Sequence, residues 1–220
     1  MKNIFPDKVK VVAFDAFDTT VVYEKNPSTK WKWAYGLLFN NTDIAHNEAR
    51  KRNRYAMTQN ISFFDLAELV KQTYDNISHD DITSIYNTLQ QELSTMKLYP
   101  DTTPTIQALQ NKWYKIALIS NLWKAYWEKL DTMLPPLDMK WYSYEIWYQK
   151  PDKEIFQYIA DTMWVQLSEI LMIGNHGKHD FSAPIWHWMQ SLLLDRKDNE
   201  ITIPEKDKIQ SLSELQHILT

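Results

Sequence analysis

Two acids three residues apart, Asp15 and Asp18, follow the apolar run Val9-Lys10-Val11-Val12-Ala13-Phe14 and lead into Thr19 and Thr20. A carboxylate directly after such a run is held by a rigid element and left open to a ligand, which suits a nucleophile or a metal ligand. Other polar groups stand in similar places. Ser120-Asn121 closes Lys115–Ile119, Gly174-Asn175 closes Glu169–Ile173, Lys150-Pro151-Asp152 precedes one helical pattern, and Asp180 opens another. Each alone is an ordinary turn or cap residue. Together they supply a carboxylate nucleophile, hydroxyl and amide donors, a cation and metal ligands. That set can move a phosphoryl group through a covalent aspartyl intermediate.

The elements that must position these groups follow from hydrophobic pattern. Val9–Phe14 is β-branched and barely alternates, as in a strand buried on both faces of a parallel sheet. From about residue 28 to 96 the chain reads as helical: one helix from Asn41-Thr42 to about Met57, one after Ser62, and one opening at Asp80-Asp81. The last has Ile82, Ile85, Leu89 and Leu93 on one face. After Tyr99 the pattern alternates. Helices are expected at Thr105–Asn111, Tyr126–Met133, Asp152–Met163, 181–187 and Ser213–Leu219, and strands at Lys115–Ile119, Tyr142–Ile146, Glu169–Ile173, Ser191–Leu194 and Ile209. Such alternation implies right-handed βαβ units and a parallel sheet. The expected architecture is α/β: a Rossmann-like, doubly wound parallel sheet from residues 1–22 and 97–220, with an inserted α-helical cap over 23–96. In open sheets of this kind, ligands bind outside the carboxyl ends of the strands.

Composition narrows the classes. The 220 residues are 44% hydrophobic with a net charge of −4, enough for one good core and without the basic footprint of a nucleic-acid binder. No apolar run approaches membrane-spanning length, and the first residues lack an apolar signal core, so a cytoplasmic protein acting on a small molecule is expected. Zero cysteines exclude disulfides and thiolate metal sites. The sequence sets no oligomeric state.

In motif order and spacing the chain resembles the haloacid dehalogenase-like (HAD) superfamily, in its subfamily with a helical cap between the first and second motifs. The first motif is Phe14-Asp15-Ala16-Phe17-Asp18-Thr19 and the second Ala117-Leu118-Ile119-Ser120-Asn121. The third is Lys150-Pro151-Asp152 with Glu154-Ile155-Phe156 after it, and the fourth Ile173-Gly174-Asn175 followed by His179-Asp180. The resemblance implies that Asp15 attacks the substrate while Thr19, Ser120 and Asn121 contact the transferring group. Lys150 would stabilise its charge and that of the nucleophile. Asp15, the Phe17 carbonyl, Asn175 and Asp180 would hold Mg²⁺, and the cap would set substrate choice. The base-rate substrate is a small phosphorylated metabolite.

Two departures qualify that picture. Phosphatases of the family usually carry an Asp general acid and base two residues after the nucleophile, where this chain has Phe17. Losing such a group typically costs roughly 10²–10⁴ in rate, and Asp18 is the residue that can substitute if the turn bends it inward. Asn175 stands where the direct metal-binding carboxylate is usual, so weakened Mg²⁺ affinity is expected. Both departures point partly toward the 2-haloacid dehalogenases, which need no metal. Their tyrosine six residues past the lysine is Phe156 here, however, and the early cap shows no evident carboxylate-binding arginine among its Tyr35, Arg50 and Arg52. A HAD-fold binding protein with weakened chemistry is a third reading. His176 and His179 have a spacing that suits a transition metal, but no third imidazole or thiolate is near them in sequence, so they read as loop residues.

Three glycines and ten tryptophans are both abnormal; average usage would give about fifteen glycines. Trp113, Trp164 and Trp188 each fall just past an expected helix, where Gly is the preferred residue. Trp147 lies where relatives commonly carry Gly. Strained φ values are expected at 113, 164 and 188. The pattern suggests UGA codons of a genetic code that assigns them to Gly; an aromatic surface for a partner is the alternative.

Overall fold

The computed structural model describes residues 4–24, 34, 51, 54–58, 60–73, 78–197 and 203–219. Strand β1 (Val11–Phe14) runs through the middle of a six-stranded parallel sheet with β4 (Lys115–Ser120), β5 (Met139–Tyr142), β6 (Ile170–Gly174), β7 (Gln190–Leu194) and β8 (Lys208–Ile209), in the order β5-β4-β1-β6-β7-β8. β1 pairs in parallel with β4 on one side and β6 on the other, and all four of its residues are buried. The chain winds outward from β1 to β5 and then returns to build the other half. This is the expected doubly wound, Rossmann-like sheet, and β1 sits where the winding reverses.

Helices cover both faces: α3 (Thr102–Asn111), α4 (Lys124–Asp131), the short α5 (Ser143–Ile146), α6 (Lys153–Met163), α7 (Ala183–Trp186) and α8 (Leu215–Ile218). One core packs Val12, Phe14, Ile116 and Leu118 against Ile106, Leu109, Trp127 and Leu130. The other packs Val11, Ala13, Ala117 and Ile119 against Ile155, Phe156 and Ile159. Alternate residues of β1 and β4 therefore feed opposite layers, as the strand period requires.

Between β2 (Val21–Val22) and β3 (Lys97–Leu98), an antiparallel pair, lie α1 (Phe63–Thr73) and α2 (His79–Thr95). Ser78 and Asp81 form a capping box at the start of α2, and Ile82, Ile85 and Leu89 are buried with Leu93 packed beside them. Most of the helix expected up to Met57, together with Tyr35, Arg50, Arg52, Trp31 and Trp33, lies outside the described residues. Among the described residues no helix is long and apolar enough to cross a membrane.

One strand differs from expectation. Residues Tyr142–Ile146 divide: β5 ends at Tyr142 and Ser143–Ile146 form a helical turn. Apolar spacing alone cannot phase so short a run; pairing with β4 starts it three residues earlier, at Met139.

The strained backbone expected at the tryptophans is present. Trp113, Trp147, Trp164 and Trp188 have φ of 67°, 65°, 56° and 65°, and the only other residue with positive φ among those described is Asp18. A left-handed conformation costs an ordinary L-residue roughly 1–2 kcal/mol. Trp127, by contrast, is fully buried inside α4. Trp164→Gly is therefore expected to raise the unfolding free energy by about 1 kcal/mol. Trp127→Ala is expected to lower it by about 3–5 kcal/mol. Urea unfolding monitored by circular dichroism measures both.

Candidate active site

Asp15 leaves the carboxyl end of β1 with its backbone still tied to the sheet, its N–H donating to the Ile173 carbonyl at 2.8 Å. The turn that follows is braced from inside. Thr20 Oγ1 donates to the carbonyls of Asp15 and Ala16 at 3.2 Å each, and Thr102 Oγ1 and Tyr99 N–H donate to the Thr20 carbonyl at 2.7 and 3.0 Å. Arg196, just past β7, grips Asp101 through both terminal nitrogens and donates to the Thr19 carbonyl at 2.8 Å. Its guanidinium lies 4.0 Å over the Tyr99 ring.

Asp15, Ser120 and Lys150 come together although 105 and 135 residues separate the latter two from the first. Ser120 Oγ donates to Asp15 Oδ1 at 2.8 Å, and Lys150 Nζ approaches the same oxygen at 2.6 Å. Lys150 Nζ also contacts Asp180 Oδ1 at 2.5 Å. One ammonium is thus shared by two carboxylates, all three groups being at least nine-tenths buried. Burial is the largest influence on Asp15 and pushes its pKa up. Lys150 opposes that, Asp180 adds to it, and the net direction is upward. For Lys150, burial alone would lower the pKa, but Asp15 and Asp180 outweigh it and hold the ammonium charged.

Asp180 depends on a close approach. A Cβ at Gly174 would lie 2.4 Å from the Asp180 carboxyl carbon, so any other residue there would push the acid away from Lys150. The wide helical turn Gly177–Ser182 carries Asp180. Asp180 Oδ2 accepts from His176 N–H at 3.0 Å, and its carbonyl accepts from Ser191 Oγ at 2.6 Å.

Other expected site residues take different parts. Asn121 is spent on Lys150: its amide donates to the Lys150 carbonyl and accepts from the Lys150 N–H, both at 2.8 Å. Its side chain therefore positions the lysine, while the residue also lines the cavity beside Asp15. Thr19 is fully buried, and its hydroxyl has no hydrogen-bond partner. Asp18 turns through its left-handed backbone toward Tyr99 Oη, at 3.4 Å, and Lys197 Nζ, at 3.5 Å.

Phe17 is packed edge-on against Tyr23 and Tyr126, at 4.9 and 5.1 Å between ring centroids. Phe156 is buried in the core beneath the His187 ring.

These residues surround a cavity of about 210 Å³ lined by Asp15, Phe17, Asp18, Ser120, Asn121, Lys150, Asn175 and Asp180, with Leu122, His176 and His179. An adjoining apolar recess of about 110 Å³ shares Phe17, Asn121 and Leu122 and adds Tyr23, Met57, Trp123 and Tyr126. Tyr126 Oη is turned to the buried Glu92 of α2 at 2.5 Å. The rings of His176 and His179 stack 4.1 Å apart. Burial, then His176 and Lys150, lower the His179 pKa to about 4.

Asp15 and Asp180, two buried carboxylates on one cation, share the cavity lining with Phe17 and Asn175, and with the Phe17 carbonyl and the Asn175 amide they would make a hard-oxygen set for Mg²⁺. It is a weak set, because Lys150 already neutralises part of the acid charge. Among the described residues no group of three or more His, Cys, Asp or Glu gathers as a metal site.

Against known proteins, the family model of haloacid dehalogenase-like hydrolases matches residues 9–184. The chain belongs to this family. No curated protein sequence matches it. Solved HAD structures resemble it over nearly its whole length. A HAD phosphatase from Thermococcus onnurineus has 21% identity and a TM-score of 0.62, covering 96% of this chain and 98% of its own. A 2-haloacid dehalogenase from Pseudomonas syringae pv. Tomato DC3000 has 14% identity and the same TM-score, covering 96% and 98%. A HAD family enzyme from Bacteroides thetaiotaomicron, in complex with magnesium and inorganic phosphate, has 12% identity and a TM-score of 0.57, covering 87% and 97%. The protein is thus a HAD-like hydrolase on a HAD fold, among structural neighbours that include both phosphatases and dehalogenases.

Thr20, Tyr99, Asp101, Thr102, Ser191 and Arg196 were not singled out from sequence. Arg196 carried a usable signal: with Asp195 it follows the apolar run of β7 just as Asp15 follows β1. Asp101 has the look of a helix cap, but its carboxylate binds Arg196, Ser211 and Leu212 instead.

Asn121→Ala removes two hydrogen bonds that hold Lys150 and is expected to destabilise the fold by about 1–3 kcal/mol while lowering turnover more than substrate affinity. Steady-state kinetics with urea unfolding measures both. His179 is expected to stay neutral from pH 8 down to nearly its lowered pKa of about 4. Imidazole NMR shifts followed through a pH titration report this directly.

Proposed function

We propose that this HAD-like hydrolase cleaves a small phosphate monoester through an aspartyl-phosphate at Asp15. The observation that carries this reading is Asp15 Oδ1 held by Ser120 Oγ and by a Lys150 ammonium shared with Asp180. That grip aims the nucleophilic carboxylate into the cavity and keeps positive charge where the phosphoryl oxygens must lie. Asp15 forms an O–P bond as the ester P–O bond breaks, and the leaving alkoxide takes a proton from solvent water. Water then attacks phosphorus, releasing inorganic phosphate and restoring the carboxylate. Ser120 supplies the hydroxyl assigned to the phosphoryl group, whereas Thr19 is fully buried and does not line the cavity.

Asp15, Asp180, the Phe17 carbonyl and Asn175 would hold Mg²⁺, which when bound supplies further neutralisation of phosphoryl charge. Phe17 cannot carry a proton. Asp18 lines the cavity, but its contacts with Tyr99 and Lys197 tie it back, so protonation of the leaving group is slow. The segment 23–96, including α1 and α2, acts as the cap. The aromatic recess beside the cavity favours a compact apolar leaving group. We place the enzyme in the cytoplasm.

A second reading rests on Phe17 and Leu122, apolar residues that line the same cavity as Asp15. They suit the carbon skeleton of a 2-haloacid, attacked at the halogen-bearing carbon without a metal. Phe156 speaks against it. Its buried ring offers no hydroxyl and is absent from the cavity lining.

A panel of phosphomonoesters and 2-haloacids, with and without Mg²⁺, separates the two. Phosphate release that rises with Mg²⁺ into the millimolar range is expected; halide release without metal would replace the phosphatase reading. Asp15→Asn is expected to abolish turnover, and beryllofluoride to bind the wild type but not that variant. Phe17→Asp is expected to raise phosphomonoester turnover by roughly 10²-fold.

The nucleophile must be ionised, so kcat/KM is expected to fall on the acid side with a midpoint above the ordinary aspartate value. The same upward shift means that ionising Asp15 costs stability, a cost that builds as pH rises above the ordinary aspartate value and is complete once pH has passed the raised pKa.

A further inference from the structure

The four tryptophans with positive φ share one structural position. Past α3, Trp113 N–H donates to Gln110 and Tyr114 N–H to Leu109. Past α6, Trp164 N–H donates to Asp161 and Val165 N–H to Ala160. Past α7, Trp188 N–H donates to Ile185 and Met189 N–H to Pro184. Each is the paired 5→2 and 6→1 bonding of a Schellman motif, with the tryptophan as the C′ residue. Past α5, Trp147 N–H donates to the Ser143 carbonyl, the single 5→1 bond of the simpler left-handed cap. Both motifs place their C′ residue in the left-handed region, and Gly is the residue that enters it without steric cost.

Nothing about the side chains accounts for indoles at these four places. Trp113 and Trp164 are 93% and 92% exposed, Trp188 82% and Trp147 66%. No common surface unites them. Trp113 and Trp164 flank one recess at the amino end of the sheet, with Lys10, Lys112 and Lys115. Trp188 lines a different recess with Phe5 and Lys8, and Trp147 stands in the loop that leads to Lys150. Glycine is missing where it is wanted: none has positive φ among the described residues, in a chain with only three glycines. The tryptophans that do pack, Trp123, Trp127 and Trp141, are buried and have ordinary backbone.

We propose that positions 113, 147, 164 and 188 are glycine in the protein as its own cells make it, each encoded by a UGA codon that this organism assigns to Gly. The tryptophans in the sequence then come from reading UGA by a code that assigns it to Trp. The recesses lined by Trp113, Trp164 and Trp188 are consequently not ligand sites in the native molecule, whereas the Asp15 cavity contains none of the four.

The gene sequence and mass spectrometry of the protein isolated from its source organism test this together, with synthetic peptides of both forms as standards. UGA at all four positions, with peptides of the glycine mass, is the expected result. UGG codons would overturn the proposal, and so would UGA codons with peptides of the tryptophan mass. In the recombinant protein, combined Trp113→Gly, Trp147→Gly, Trp164→Gly and Trp188→Gly substitution is expected to raise the melting temperature. A lower melting temperature would remove the strain on which the inference rests.

Discussion

A single ammonium group organises the centre of this molecule. Lys150 is buried, and taking its charge out of water is tolerable only because Asp15 and Asp180 meet it from the segments that follow two different strands of the sheet. Neither acid is easily buried without the lysine. The three groups therefore require one another, and they fix the mutual positions of the β1 end, the β6 end and the loop before α6. Asn121 locks that loop from behind, and Gly174 clears the space for Asp180. The strand ends on which these residues stand flank the point where the winding reverses, where an open sheet leaves a crevice.

The charge arrangement also accounts for the chemistry's economy. Burial drives the Asp15 pKa upward, and the neighbouring cation compensates only in part. Lys150 supplies that compensation without blocking the cavity. The aromatic packing of Phe17 with Tyr23 and Tyr126 makes the wall beside the nucleophile dry. A dry wall strengthens the electrostatics of the site at the expense of proton supply.

Much of this was legible in the sequence because it depends on local pattern. Apolar runs closed by a polar residue identified β1, β4 and β6 and, with them, Asp15, Ser120 and Asn175. The placement of Trp113, Trp164 and Trp188 past helices foretold their left-handed backbone. What stayed hidden depends on distance across the fold. That Asn121 spends its amide on Lys150, that Thr20 braces the nucleophile's carbonyl and that Asp101 is half of an ion pair with Arg196 are facts of tertiary contact. No spacing rule encodes them. The divided run at Tyr142–Ile146 failed for a related reason, since its register is set by β4.

The Arg196 contact has a bearing on where the working unit ends. Its guanidinium joins the loop after β7 to Asp101 at the start of α3 and to the carbonyl of Thr19 in the turn that carries the nucleophile. Asp101 in turn receives Ser211 and Leu212 from near the carboxyl terminus. The stretch matched by the family model stops at residue 184, short of all three of these partners from the chain's last quarter. A fragment trimmed to that boundary would keep Asp15, Ser120, Lys150 and Asp180 and lose the strut that holds the turn after Asp15 still. In this chain the last two strands act as a mechanical brace for a motif at the opposite end of the sequence.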